Sequence, residues 1–211
     1  MKLALFGASG ATGQLVLEQA LARGHTITAL VRTPSKLTTT HERLKVIQGD
    51  VTDPAAVEKT IAGQEAVIST IGSGSNTKHV TLYSTSIRNI IDAMEKQKVE
   101  RLLCISAGGA YPGKDPGAPF ILNYVVKPFF LKDVFEDMAR MEEAVKHSKL
   151  SAWTIVRPPR LVDKPPTGRY RQEPTYCIKG GNKIARGDVA AFLVGELDAR
   201  KYVRQGVAVA Y

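Results

Sequence analysis

A chain of 211 residues, 44% hydrophobic and 23% charged, has the size and balance of one globular domain with a real core. Two cysteines and four histidines without ligand spacing exclude a disulfide scaffold or a zinc site, and no apolar run is long enough to span a bilayer. The net charge of +9 is spread along the chain with no dense basic block, which argues against a nucleic-acid partner and leaves a few cations for an anionic small molecule.

Lys2 to Phe6 is short and apolar and reads as a buried strand. Gly7-Ala8-Ser9-Gly10-Ala11-Thr12-Gly13 follows, then a helix from Gln14 to Arg23 with Val16, Leu17, Ala20 and Leu21 on one face, then a second strand from Thr26 to Val31. Strand, glycine turn, helix and strand within about 30 residues make a dinucleotide-binding βαβ unit. Gly7 serves the tight turn, Gly10 the approach to a pyrophosphate and Gly13 the close packing of helix on strand. Ser9, Ala11 and Thr12 complete the phosphate cradle, because the amides at the helix start face the anion. A bare structural turn is the alternative.

The second strand ends where a dinucleotide's adenosine ribose is read. An NAD site carries an acid there, but no Asp or Glu stands between Glu18 and Glu42. Arg32, with Ser35 and Lys36, suits the 2′-phosphate of NADP(H) instead; two solvated cations in a polar loop are the alternative.

Leu44 to Val51 is the third strand and its exit, where Asp50 can accept from an adenine amino group, with Val51 beside it. Asp53 or Thr52 caps the next helix, with Pro54 at its first position. Ala66 to Gly72 is a fourth strand running into a small-residue loop, and Thr70, Ile71 and Gly72 lie over the cofactor at its carboxyl end. A helix from about Val80 to Lys96 buries Tyr83, Ile87, Ile90, Ile91 and Met94. The fifth strand, Arg101 to Ala107, ends on Ser106 at the nicotinamide edge, and Cys104 inside it reads as a core thiol.

Gly108 to Lys132 has no clear period and reads as a long loop. Its apolar half, Ala118 to Leu131, suits a lid or pocket wall, with an oligomer contact or a membrane-grazing patch as alternatives. Asp133 to His147 is a helix with Val134, Met138, Met141 and Val145 inward. Ser151 to Arg160 is a sixth strand running into Pro158-Pro159, after which Arg160 meets an anionic substrate group or stays a surface arginine. Asp188 reads as the N-cap of the last helix, and the chain closes on an edge strand from Gly206 to Tyr211.

These residues define an α/β class: a Rossmann-like, doubly wound parallel sheet in one domain over 1–211. The combination of Gly7 to Gly13, Leu30-Val31-Arg32, Gly49-Asp50-Val51, Cys104-Ile105-Ser106-Ala107, Pro158-Pro159 and Pro166 to Tyr170 resembles the atypical short-chain dehydrogenase/reductases of the NmrA-like NAD(P)-binding group, nearest its branch of NADPH-dependent flavin and biliverdin reductases. The resemblance implies an open NADPH-loaded cleft for flavins and planar tetrapyrroles, with Ser106 as catalytic residue and Pro158 at the cofactor. Two departures stand out. The Tyr-x-x-x-Lys pair of carbonyl reductases is absent, since Tyr111 is followed four residues on by Asp115 and Tyr124 by Pro128. Arg160 stands where that branch carries a histidine.

The expected activity is hydride transfer from NADPH to a flavin, with a biliverdin-type tetrapyrrole as a second acceptor and Arg160 beside Ser106 in the catalytic set. A non-catalytic NADP(H) sensor of the NmrA type and a quinone reductase are the alternatives. No nucleic-acid, membrane or metal partner is expected, and the chain reads as a monomer or weak dimer. The first strand starts at residue 2 and leaves no room for a leader segment, so the expected location is the cytoplasm.

Overall fold

Apolar runs and amphipathic segments alternate along the chain, and each strand–helix pair adds one strand to a growing sheet. The computed structural model describes residues 1–211. Its elements are β1 (Lys2–Phe6), α1 (Ala11–Ala22), β2 (Thr26–Val31), β3 (Leu44–Gln48), α2 (Pro54–Ile61), β4 (Ala66–Ser69), α3 (Leu82–Gln97), β5 (Arg101–Ile105), α4 (Lys127–Phe129), α5 (Lys132–His147), β6 (Ala152–Arg157), β7 (Arg160–Val162), β8 (Arg171–Glu173), β9 (Lys183–Ala185), α6 (Arg186–Ala199) and β10 (Gln205–Ala210).

The main sheet runs β3-β2-β1-β4-β5-β6-β10-β8. All neighbours pair parallel except β8, which is antiparallel to β10. The chain winds outward from β1 to β3 and then returns to β4 on the other side of β1. The order therefore reverses between β1 and β4, which is where such sheets bind ligands.

Alternation along the strands fills both faces. On β1, Leu3 and Leu5 enter the core beneath α1 and α6, while Ala4 and Phe6 enter the one beneath α2, α3 and α5. The two cores hold 24 and 23 buried residues, so neither face of the sheet is left to solvent. Tyr83, Ile87, Ile90, Ile91 and Met94 are all buried, as the helical period of α3 requires. Asp53 caps α2 by accepting from the Ala55 amide at 3.0 Å, with Pro54 at the first helical position. Cys104 is fully buried, and burial pushes its thiol pKa far up, which makes it inert packing. No helix is long and apolar enough to cross a membrane.

Four expectations are corrected. The apolar part of the long loop is helical: a π-turn over Leu122–Val126 runs straight into α4. The strand expected through Arg160 breaks at Pro158-Pro159, which lack amide donors, and Arg160 instead opens β7, which pairs with β9 in a separate two-stranded sheet. β10 is interior, because β8 adds antiparallel on its outer side.

The fourth concerns Asp188, which is the third residue of α6 and not its cap. It is fully buried and accepts from the Tyr211 hydroxyl at 2.6 Å and from the amides of Thr167 and Gly168 at 2.9 Å each. It thus ties the loop before β8 and the end of the chain to α6.

Burial alone would raise the pKa of Asp188, but these donors outweigh it and hold the carboxyl below its ordinary value. A depressed carboxyl contributes stability that is present above its unfolded pKa of about 4 and is lost as pH falls through the folded value. Urea unfolding across pH 2.5–7 is therefore expected to show Asp188→Asn less stable than wild type at neutral pH, by roughly 1–3 kcal/mol, with the gap closing below about pH 4.

Candidate functional site

The site begins with a contact that has no room for a side chain. Gly7 follows β1 with φ +85°, and its carbonyl accepts from the Gly10 amide at 3.0 Å. A Cβ on Gly13 would lie 2.0 Å from the Gly7 oxygen, and a Cβ on Gly7 would lie 2.8 Å from the Thr70 backbone. α1 therefore starts hard against the turn. Thr70 closes the other side: its hydroxyl is 3.1 Å from the Phe6 carbonyl oxygen and 3.2 Å from that of Gly7.

That packing leaves the start of α1 open. Gly10 occupies its N-cap without a side-chain bond, and its first turn carries no acid. The amides of Ser9, Ala11, Thr12 and Gly13 donate to no protein acceptor. By contrast, Asp53 closes the start of α2, and Asp137 of α5 closes the start of α3 by accepting from the Tyr83 and Ser84 amides. α1 is thus an open anion cradle whose neighbours at α2 and α3 are already satisfied.

Arg32, Ser35 and Lys36 are exposed beyond β2, and Arg32 has no carboxylate within ion-pair distance. Asp50, beyond β3, accepts from the Thr52 amide and hydroxyl at 2.8 Å each through one oxygen. The amide bond first, then the hydroxyl and the charge of Arg32, hold its pKa low against the opposing effect of burial. Val51 is anchored through its carbonyl, which accepts from the Asn89 side chain at 3.0 Å.

Thr70, Ile71 and Gly72 leave β4 beside the glycine turn, and Ile71 packs on the core while Gly72 is open. Ser106 leaves β5; its amide donates to the Val156 carbonyl at 2.8 Å. Its hydroxyl is buried, at 2% exposure, and has no partner. A buried hydroxyl without a partner costs free energy that a bound group recovers. The turn, Thr70 and Ser106 thus share one edge of three adjacent strands, β1, β4 and β5. Pro158 is buried beyond β6, while Arg160 stands exposed at the start of β7 without hydrogen bond or ion pair from its side chain.

The Tyr-x-x-x-Lys pair is absent from the chain, and tyrosine and lysine meet instead at Tyr111–Lys127 and at Tyr176–Lys146. Lys127 donates to the carbonyls of Tyr111 and of Gly113, the latter at 2.8 Å, and so braces the loop. Lys146 meets the Tyr176 hydroxyl at 3.2 Å, but beside the buried Arg157–Glu142 pair, and the Tyr176 ring covers the Arg157 guanidinium at 3.6 Å. Nowhere do three or more His, Cys, Asp or Glu side chains converge as a metal site. Sequence reasoning missed Asp137, and it read Tyr83 only as core. The one signal for Asp137 is a charge on the inward face of α5.

A glycine cradle that a Cβ would fill, an open helix start and an orphaned buried hydroxyl along one carboxyl edge fit a pyrophosphate-linked dinucleotide. The fold and edge define a Rossmann-like nucleotide-binding α/β domain. A family model described as NAD(P)H-binding matches residues 7–200, and the chain belongs to that family. An uncharacterised chloroplastic protein of Arabidopsis thaliana is 31% identical over 209 residues, spanning 93% of this chain and 71% of its own. A short-chain dehydrogenase/reductase of Veillonella parvula, solved in complex with NADP, superposes with TM-score 0.84 at 19% identity, covering 100% of this chain and 94% of its own. A candidate NADH-flavin reductase of Streptococcus pneumoniae superposes with TM-score 0.81 at 24% identity, over 100% and 99% of the two chains. At these identities the two structures share the fold.

Gly13→Ala forces the Gly7 carbonyl, a backbone atom, to give way. Calorimetric titration is expected to show dinucleotide affinity at least tenfold weaker, and thermal unfolding a loss of about 1–3 kcal/mol.

Proposed function

We propose that this NAD(P)H-binding protein is an NADPH-dependent reductase that passes a hydride to a flavin, with a biliverdin-type tetrapyrrole as a second acceptor. The observation that carries the proposal is the free, buried hydroxyl of Ser106 on an open coenzyme edge, in a chain without the Tyr-x-x-x-Lys motif. When bound, the reduced nicotinamide supplies the hydride from C4, and an acceptor such as flavin N5 takes it directly. A Tyr/Lys proton donor is then unnecessary. The flavin-reductase description of the Streptococcus protein, of the same fold, supports this choice of acceptor.

In this reading Gly7, Ser9, Gly10, Ala11, Thr12 and Gly13 hold the pyrophosphate, and Thr70, Ile71, Gly72 and Pro158 bound the nicotinamide half. Arg32, unpaired and exposed, takes the 2′-phosphate with Ser35 and Lys36, and the absence of an acid there favours NADP(H) over NAD(H). Asp50 and Val51 border the adenine. Ser106 donates to the nicotinamide or the acceptor and fixes the approach of the reacting atoms. Arg160 meets negative charge developing on the acceptor.

The acceptor surface is apolar and cationic. Phe120, Ile121, Tyr124, Val125, Phe129 and Phe130 are all exposed on the helical segment before α5. A cavity of about 240 Å³ between the loop after β4 and the start of α5 is lined by Lys78, His79, Phe129, Phe130, Lys132 and Asp133; Asp133 is engaged by the His79 amide at 2.7 Å, and the two lysines and two aromatic rings favour a planar molecule with negative charge. Both cysteines are free, and a cytoplasmic location is part of the proposal. The missing relay equally suits an NADP(H) sensor without turnover, and the apolar surface a quinone acceptor.

NADPH oxidation with FMN, FAD, riboflavin, a quinone and biliverdin, with NADH as control, separates these readings. A flavin rate sustains the proposal, and coenzyme binding without any rate replaces it with a sensor. Arg32→Ala is expected to raise the KM for NADPH roughly tenfold and that for NADH little; an equal rise rejects the 2′-phosphate role. Ser106→Ala is expected to lower kcat roughly tenfold or more with NADPH affinity unchanged, and an unaltered kcat removes Ser106 from the reaction.

A further inference from the structure

The loop after β4 lies between the glycine turn and Ser106 along the carboxyl edge of the sheet. β4 lies between β1, which bears the glycine turn, and β5, which bears Ser106. A dinucleotide reaching from the start of α1 to Ser106 must cross the end of β4. Thr70 is bonded to β1 and its turn, but the chain then leaves the sheet. Gly72 and Gly74 bracket Ser73, and a Cβ on either would meet open space. Over residues 71–76 one side chain from outside the loop is bonded to it. The Tyr83 hydroxyl accepts from the Ser73 amide at 3.1 Å and donates to the Ser73 hydroxyl at 3.3 Å.

That hydroxyl is held from below. Tyr83 is 5% exposed in the first turn of α3, and its amide donates to Asp137 at 2.8 Å. Asp137, fully buried on α5, also accepts from the Ser84 amide at 3.3 Å and the Ser84 hydroxyl at 2.5 Å, and pairs with Arg140 at 3.2 Å. A carboxylate on one helix thus caps its neighbour and locks the ring that pins the loop. The hydroxyl takes its position from the packed α3/α5 pair and imposes it on Ser73.

We infer that Tyr83 is a positioning residue for the nicotinamide half of the coenzyme: through Ser73 it sets the backbone of residues 71–73 over which the nicotinamide ribose passes. The adenosine half, held by α1 and the loop after β2, is independent of it. The inference rests on the coenzyme reading of the edge but on no particular acceptor.

Tyr83→Phe keeps the ring and removes both bonds to Ser73. Ser73→Pro removes the amide donor from the loop side and leaves α3 untouched. Calorimetry with NADP+ against 2′,5′-ADP, and with NAD+ against 5′-AMP, separates the two halves of the coenzyme. Both variants are expected to weaken the dinucleotide about fivefold or more and to hold the mononucleotide within about twofold, roughly the loss of one hydrogen bond. The melting temperature of Tyr83→Phe is expected to stay within a few degrees of wild type. Parallel weakening of dinucleotide and mononucleotide, or no weakening of either, overturns the positioning role. A wild-type protein that binds the mononucleotides but neither dinucleotide defeats the coenzyme reading itself.

Discussion

The closeness of Gly13 to the Gly7 carbonyl is the constraint on which the rest depends. With no side chain on either residue, α1 begins directly above the end of β1 and points its open amides along the sheet edge. A helix displaced by one methyl group would aim the same amides elsewhere. Thr70 extends the constraint sideways, because its hydroxyl reaches two carbonyls of the turn from the next strand. The reversal of strand order, the cradle and the loop after β4 are therefore one construction.

The fold treats its helix starts unequally, and the inequality has chemical meaning. Orphan amides must find acceptors, and at α2 and α3 carboxylates of the chain supply them. At α1 the chain supplies nothing, and Gly10 at the N-cap carries no side chain to do so. The same economy of charge governs the interior. Arg157 forms a two-pronged pair with Glu142 at 2.9 and 2.6 Å, and Arg101 meets Glu196 at 3.4 Å. Buried pairs of this kind recover their desolvation cost only with good geometry, so their main effect is to fix α5 against β6 and α6 against β5. Rigid flanks let a small-residue loop between them hold a defined course.

The chemistry proposed for the edge follows from what the chain withholds as much as from what it offers. Carbonyl reduction needs a proton delivered to the substrate oxygen, and the chain lacks the Tyr-x-x-x-Lys motif that supplies it in carbonyl reductases. A planar acceptor that takes the hydride itself asks only for orientation and charge compensation. In the proposed reading Ser106 supplies the orientation, and the aromatic side chains and lysines before and at the start of α5 supply the surface and the charge.

Much of this was legible locally. The glycine spacing, the alternating strands, the Asp53-Pro54 helix start and the buried stripe of α3 depend on residues within a turn or two of one another, and each was found where its pattern indicated. So was the absence of an acid after β2, which is a statement about a few adjacent positions. The roles of Asp188, Tyr83 and Asp137 were not legible. Tyr83 and Asp137 lie 54 residues apart in the chain, and only the packing of α3 on α5 joins them. Likewise β10 became interior only because β8 folded back onto it. By itself the sequence determined the main alternation of strands and helices and the tight geometry of the opening turn, because hydrophobic period and backbone sterics act over short range. Tertiary structure alone decided which buried charge caps which helix and which hydroxyl pins the loop after β4, because those bonds require partners that no local pattern can specify.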